Sequence, residues 1–185
     1  MSHLTEEAIR AEFIRLLNDR PLDKITVREI ADACGINRNT FYYHFHSIYD
    51  LLEHLFFEEE QRLTENISGV QTLKQAFEES ARFALENRRA IYHVYNSVNR
   101  NVLTSYLYTA AEVGMRRVVE NQCHGLEPAP EDVDDLVFLY ASMLEGAILN
   151  IIGEGFNRDI DALIANAIRL LEGTIRRALE NSNPA

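Results

Sequence analysis

Apolar residues recur along the chain at the three-to-four-residue spacing of amphipathic helices, and strictly alternating apolar and polar runs are absent. In residues 5–18, Ile9, Phe13 and Leu16 fall on one stripe, and Pro21 prevents the helix from continuing. Longer periodic stretches predict helices at about 72–86, 88–98, 101–123, 131–153 and 159–181. The pattern predicts an all-α fold.

Helix start and stop signals are closely spaced in residues 26–47. Thr26 and Glu29 have the spacing of a capping box, and Gly35 suits the left-handed turn that ends a helix. Asn37 can cap a short helix, and Ser47 can start a long one that reaches about residue 66. Two short helices joined by a tight turn are typical of a helix-turn-helix, whose second helix enters the DNA major groove.

The second short helix carries the sequence NRNTFYYHFH. Phe41 and Phe45 share one face and are expected to point inward, which leaves the other faces to Arg38, Asn39, Thr40, Tyr42, Tyr43 and His44. Arginine pairs with guanine, asparagine with adenine, and tyrosine or threonine can approach a thymine methyl or a phosphate. These side chains therefore predict a DNA-reading surface.

The segment ITVREIADACGINRNTFYYHFHSIYDLLEHLF resembles the DNA-binding signature of the TetR family of bacterial transcriptional regulators. The resemblance implies a homodimer with a three-helix DNA-binding domain, residues 1–47, and a larger helical domain for effector binding and dimerisation, residues 48–185. It also places Thr26 and Arg28 near phosphates and base edges, and assigns the six outward residues to the recognition helix. TFYYHFHSIYDLLE further resembles a branch that includes the activator of dihydroxyacetone-kinase operons.

Two positions depart from the family pattern. Asn39 stands where many members have Gly, Ala or Pro, so the operator cannot be inferred from relatives. Ile48 stands where the family usually has a basic residue that contacts phosphate, and isoleucine cannot make that contact. The amides at the helix start capped by Ser47 can still hold a phosphate. A helper protein that raises DNA affinity remains an alternative.

Other interpretations of the same residues remain open. Tyr42 can pack against the body of the protein, and Arg28 can form an ion pair with Asp32 four residues later. His44 and His46 diverge at i and i+2 on a helix, so no metal site is predicted there. The aromatic helix can also dock in the groove of a protein partner.

The net charge of −11 divides unevenly, with −2 in residues 1–50 and −9 in the remainder, so DNA binding must depend on a local surface. No Gly-rich phosphate loop, nucleophile–base pair or metal constellation indicates an enzyme, and no cofactor is predicted. The N-terminus lacks an export signal, no apolar run is long enough to suggest a membrane span, and two distant cysteines fit a reducing cytoplasm. We expect a cytoplasmic protein that does not bind membranes.

Small and apolar residues line one side of FLYASMLEGAILNII and of the last predicted helix. A glycine inside a helix costs roughly 1 kcal/mol relative to alanine, so it usually marks a close backbone approach. Two such helices from each subunit predict a four-helix dimer interface, whose residues are Leu139, Ser142, Met143, Gly146, Asn150, Leu163, Ala167, Leu171 and Thr174. Packing of these stripes within one monomer is the alternative.

Polar and aromatic residues are mixed into apolar helices in AIYHVYNSVNRNVLTSYLY. Converging polar groups on an apolar wall favour a small-molecule site, and the candidates are Tyr92, His93, Tyr95, Asn96 and Tyr106. Surface tyrosines or hydrogen-bonded core residues would give the same pattern. Control by a protein partner instead of a small-molecule effector also remains possible.

Overall fold

The computed structural model describes residues 2–66 and 72–182, and within these ranges the chain forms helices and no strand. The all-α prediction is confirmed. The helices are α1 (Ser2–Asp19), α2 (Val27–Ala33), α3 (Arg38–His44), α4 (Ile48–Asn66), α5 (Leu73–Glu86), α6 (Arg88–Tyr95), α7 (Arg100–Gln122), α8 (Pro130–Gly153), α9 (Ile160–Leu171) and α10 (Thr174–Ser182). A short 3₁₀ helix, Leu22–Lys24, joins α1 to α2.

Three predicted helix starts are formed by the expected side chains. Thr26 Oγ1 accepts from the Glu29 amide at 3.3 Å, and Glu29 Oε2 accepts from the Thr26 amide at 3.0 Å, which completes the capping box of α2. Asn37 Oδ1 accepts from the Thr40 amide at 2.8 Å at the start of α3. Ser47 Oγ accepts from the Asp50 amide at 3.0 Å at the start of α4.

The prediction of one continuous helix over 159–181 is wrong. The chain leaves the helix after Leu171, and Gly173 adopts a φ of +74° before α10 begins at Thr174. A left-handed residue cannot continue a right-handed helix, and glycine adopts it without steric cost. The apolar periodicity on both sides of Gly173 hides the break.

Helix α6 is also shorter than predicted, because it ends at Tyr95 instead of residue 98. Asn96 Nδ2 donates to the Tyr92 carbonyl at 2.8 Å, and the Ser97 hydroxyl donates to the Val94 carbonyl at 2.7 Å. Side chains that bond the last helical carbonyls in this way compete with further helical turns.

The helices form two compact units. The first comprises Met1–Glu59 and Asn87–Tyr106, and the second comprises Glu60–Glu86 and Leu107–Ala185. The first therefore holds α1, α2, α3, the first part of α4, and α6. These units are defined by packing, whereas the predicted boundary after residue 47 is a division by function and stays a prediction.

Each unit has its own apolar core. Phe13, Phe41 and Phe45 are fully buried in the first unit, and Met115, Ile152 and Leu179 in the second. Burying a side chain of this size contributes about 1.5–3 kcal/mol. Phe41 and the following Phe45 thereby anchor α3 in the core of the first unit.

Helix α8 corrects one sequence expectation. Its 24 residues include an 18-residue window of mean hydropathy 1.7, so by length and composition alone it is apolar enough to cross a membrane. One such helix is weak evidence for a span, because the core helices of many proteins meet the same criterion. Val137, Ala141 and Ile148 of α8 are buried inside the second unit.

Candidate nucleic-acid interface

Helices α2 and α3 are joined by a tight turn. Gly35 adopts a φ of +66°, and the Ile36 amide donates to the Ala31 carbonyl at 3.0 Å. Residues with a side chain rarely adopt this backbone conformation, so the turn requires glycine. The geometry is that of a helix-turn-helix.

The outer face of α3 is solvent-exposed while its inner face is anchored. Phe41 exposes none of its surface, whereas Tyr42 exposes 49% and Tyr43 exposes 80%. Arg38 and Asn39 at the first turn are exposed as well. Together these four side chains form a continuous polar and aromatic surface, which we call the α3 face (Arg38, Asn39, Tyr42 and Tyr43).

His44 lies elsewhere than the helical pattern predicted. Its side chain is only 7% exposed, and Nδ1 lies 3.8 Å from Glu6 Oε2 on α1. Because His44 follows Phe41 by three residues, the two share a face of the helix. Its place on the outward surface is not observed, and a role in DNA binding stays a prediction.

The other predicted DNA contacts already have partners within the protein. The Thr40 hydroxyl bonds Asn37 Oδ1 at 3.1 Å, Thr26 takes part in the α2 capping box, and the half-buried Ser47 caps α4. Arg28 Nε lies 3.5 Å from Asp32 Oδ2, with both side chains about 70% exposed, so the predicted ion pair forms. An exposed pair of this kind contributes little to stability and leaves the guanidinium accessible.

Ile48 is nearly buried and belongs to the core of the first unit. Beside it, the His46 amide donates to Asp50 Oδ2 at 2.7 Å. That amide is therefore committed to a carboxylate, and a phosphate at the start of α4 would have to use the following amides of the first turn. At position 48 the chain therefore has an apolar core side chain in place of the basic residue that the resemblance led us to expect.

An ion-pair network supports the start of α2. Arg20 Nη2 lies 3.0 Å from Glu29 Oε1, and Glu29 Oε2 accepts from the Thr26 hydroxyl at 2.7 Å. The Thr26 hydroxyl, the Thr26 amide and the Arg20 charge hold the pKa of Glu29 below its ordinary value, with the hydroxyl contributing most. The capping carboxylate is therefore ionised at neutral pH.

Two family profiles cover most of the chain. Residues 9–55 match the profile described as bacterial regulatory proteins, tetR family, and residues 71–173 match the profile described as transcriptional regulator C-terminal region. The chain belongs to the TetR family. A comparison with curated proteins finds no match.

Two solved structures resemble this TetR chain over nearly its whole length. One is the dihydroxyacetone kinase operon activator DhaS, with a TM-score of 0.73. The other is NalD, described as the secondary repressor of the MexAB-OprM multidrug efflux pump in Pseudomonas aeruginosa, with a TM-score of 0.63. Each is 16% identical, and each comparison covers 97% of this chain and 98% of the other. At this identity the likeness shows the fold.

The residues predicted to line an effector pocket make contacts away from the apolar cavity of the second unit. Tyr92 and Asn96 are exposed, and His93 Nδ1 lies 2.7 Å from the Leu17 carbonyl. The Arg100 guanidinium stacks over the Tyr95 ring at 5.3 Å, and the buried Tyr106 packs against Phe56 with ring centroids 4.8 Å apart. These contacts are those of surface and core side chains, and a role of the five residues in ligand binding stays a prediction.

An apolar cavity of about 130 Å³ lies in the second unit among α5, α8 and α9. All fifteen lining residues are apolar: Phe77, Ala81, Ala84, Leu85, Met143, Leu144, Ala147, Ile148, Ile151, Phe156, Ile160, Leu163, Ile164, Ala167 and Leu171. The residues that α5 contributes to this cavity were not predicted from the sequence. Phe77, Ala81 and Ala84 have the apolar spacing of one helix face, and that spacing was the available indication.

The predicted interface residues divide into two groups. Met143, Leu163, Ala167 and Leu171 line the cavity. Leu139 is 59% exposed, Asn150 and Thr174 are exposed, and Ser142 and Gly146 are partly exposed. The first group contacts the cavity within the monomer, and Met143 of this group is also 40% exposed. The second group is accessible to a partner, and the dimer interface stays a prediction.

Proposed function

We propose that this TetR protein is a homodimeric transcriptional regulator that binds a palindromic operator through the α3 face and responds to an apolar effector. The observation that carries the proposal is the exposure of four base- and phosphate-competent side chains on a recognition helix anchored by Phe41 and Phe45. Two adjacent exposed tyrosines leave apolar area in water, which a macromolecular partner would bury.

The chemistry of the α3 face fits duplex DNA. Arg38 and Asn39 occupy the first turn, the part of a recognition helix that reaches base edges. Tyr42 and Tyr43 follow on the next turn, where a phenolic hydroxyl can donate to phosphate oxygens. Since one short helix reads few base pairs, two copies related by a twofold axis would supply a longer site.

Helix α8 supports the dimer. Phe138, Leu139 and Met143 are exposed on it, and Leu170 is exposed on α9. Large apolar side chains grouped on a surface mark interaction sites. A second copy of the chain would cover them and place two recognition helices on one operator.

The cavity in the second unit supports control by a small molecule. The cavity is lined throughout by apolar side chains, which predominate in the lining of ligand sites. Burying a polar group without a hydrogen-bonding partner costs about 1–3 kcal/mol, so an all-apolar wall favours an uncharged apolar effector. The two structural neighbours are named an activator and a repressor, and the activator branch keeps control by a protein partner as the alternative.

Selection of binding sites from random duplex DNA at near-physiological salt tests the DNA-binding part. We expect enrichment of a palindrome whose half-sites are about one helical turn or more apart. No enrichment by folded, dimeric protein, both alone and in cell lysate, would contradict the proposal. Enrichment in lysate only would indicate a required partner.

The effector site is tested with N-phenyl-1-naphthylamine, an uncharged apolar dye whose fluorescence rises when it is buried. Ala167→Phe fills the cavity and should weaken dye binding at least severalfold. Ala165→Phe, two residues earlier on α9 and exposed, is the matched control and should bind dye as the wild type does. Equal dye binding by wild type and Ala167→Phe would contradict the assignment of the site.

A further inference from the structure

The C-terminal end of α1 contains a carbonyl that its own helix cannot satisfy. The Leu17 carbonyl would normally accept from the amide four residues later, but that residue is Pro21, which has no N–H. Arg20 is the last residue to continue the pattern, with its amide 3.0 Å from the Leu16 carbonyl. The sequence thus creates an acceptor that needs a donor from elsewhere.

His93 of α6 supplies that donor from a position 76 residues later in the chain. Its Nδ1 lies 2.7 Å from the Leu17 carbonyl oxygen, and the contact is partly buried. Because a carbonyl oxygen can only accept, Nδ1 must carry the proton. The neighbouring Ile91 and Val94 are buried, so α6 is held firmly where it presents this ring.

The end of α1 leads directly to the DNA-binding helices. Three residues after Leu17, Arg20 forms its ion pair with Glu29, which in turn caps α2 at Thr26. A shift of the α1 end would therefore move the start of α2. The α3 face follows α2 through the rigid turn at Gly35.

We propose that His93 is a positioning residue for operator binding, which holds the end of α1, and through Arg20 and Glu29 the start of α2, in the arrangement that DNA requires. The inference rests on the proposed function, because it needs an operator to be bound.

Two substitutions separate the hydrogen bond from the bulk of the ring. His93→Phe keeps a ring and removes the donor, whereas His93→Asn keeps an amide nitrogen close to the position of Nδ1. We expect His93→Phe to weaken binding to the selected operator about three- to tenfold, the effect of one lost hydrogen bond, and His93→Asn to restore most of it. Tyr92→Phe, an exposed neighbour on α6, is the control and should not change affinity.

The salt dependence of binding distinguishes positioning from simple loss of folded protein. A smaller folded fraction lowers the apparent affinity equally at every salt concentration, whereas misplaced helices lose phosphate contacts and so lower the slope of log K against log salt. We expect a shallower slope for His93→Phe in samples whose circular dichroism matches the wild type. An unchanged affinity and slope would overturn the proposal.

A DNA-independent measurement tests the bond itself. Nitrogen-15 NMR at a pH where the ring is neutral should show Nδ1 of His93 protonated. An unprotonated Nδ1 would overturn the proposal even if operator binding is normal. Conversely, a protonated Nδ1 in a wild type that selects no DNA would remove the proposed function and the positioning role while leaving the bond in place.

Discussion

The ring of Tyr42 stands edge-on to the ring of Phe41, with centroids 5.8 Å apart and planes at 89°. Phe41 is fully buried and Tyr42 is half exposed, so the base of the tyrosine ring is held while its outer edge meets solvent. Edge-to-face pairs of this kind are favourable by about 0.5–1.5 kcal/mol. The contact with Phe41 therefore favours this placement of the Tyr42 ring on the α3 face.

Removing that hydroxyl should weaken DNA binding without loosening the fold. Tyr42→Phe keeps the edge-on contact with Phe41 and loses one donor, so we expect operator affinity to fall about two- to tenfold, equivalent to 0.5–1.5 kcal/mol. The melting temperature should change little. Fluorescence anisotropy with labelled operator measures the affinity, with Tyr92→Phe as the control. Equal affinities would mean that Tyr42 does not contact DNA.

Arg38→Ala should change specificity as well as affinity. Arginine at the first turn of a recognition helix can bind guanine with two hydrogen bonds, and such a pair discriminates against other bases by about 1–3 kcal/mol. Repeating the site selection with the variant should therefore relax the preference at one base pair of each half-site. Arg15→Ala, which removes an arginine paired with Glu12 on α1, is the control. An unchanged preference at every position would exclude Arg38 from base reading.

Local sequence signals predicted the first unit well because they act over a few residues. The box formed by Thr26 and Glu29, the glycine turn at Gly35 and the cap at Asn37 each need only a short segment, and all three are present. His44 was misplaced because its helical position is ambiguous, and only the packing of α3 on α1 brings it to Glu6.

The apolar cavity was harder to predict because it depends on contacts between helices that are far apart in the sequence. Polar and aromatic residues around Tyr92 predicted a pocket, but the His93 ring donates to the Leu17 carbonyl, 76 residues earlier in the chain. The cavity instead lies against Phe77 and Met143, whose plain apolar spacing is also that of any core helix. No local sequence pattern distinguishes a helix face that packs in a filled core from one that lines a cavity.

Acid should destabilise the start of α2 through Glu29. The bond from the Thr26 hydroxyl lowers the pKa of this carboxyl in the folded protein, so its contribution to stability is complete above the ordinary carboxylate pKa of 4.5. That contribution is lost as pH falls through the lower folded value. We therefore expect the loss of melting temperature between pH 6 and pH 3 to be smaller in Glu29→Gln than in the wild type.

Glutamine can replace glutamate in a capping box, so the variant should fold at neutral pH. Glu53→Gln removes an exposed carboxylate that belongs to no capping box. It is the control, because it shows how the loss of one exposed carboxylate alone changes the melting temperature in acid. If Glu29→Gln and Glu53→Gln show the same acid dependence, the capping carboxylate has no special role in pH stability.

Charge on the exposed face of α8 should prevent dimerisation. Leu139 is 59% exposed, so Leu139→Glu costs little in the monomer, but a dimer would have to bury the carboxylate without a partner. Leu4→Glu makes the same change at an exposed leucine of α1 and is the matched control. In sedimentation velocity we expect the wild type and Leu4→Glu to be dimers and Leu139→Glu to be a monomer at micromolar concentration.

The operator affinity of Leu139→Glu should be lower than that of the wild type, because a monomer binds only one half-site. A dimeric Leu139→Glu protein would place the interface on another surface of the second unit.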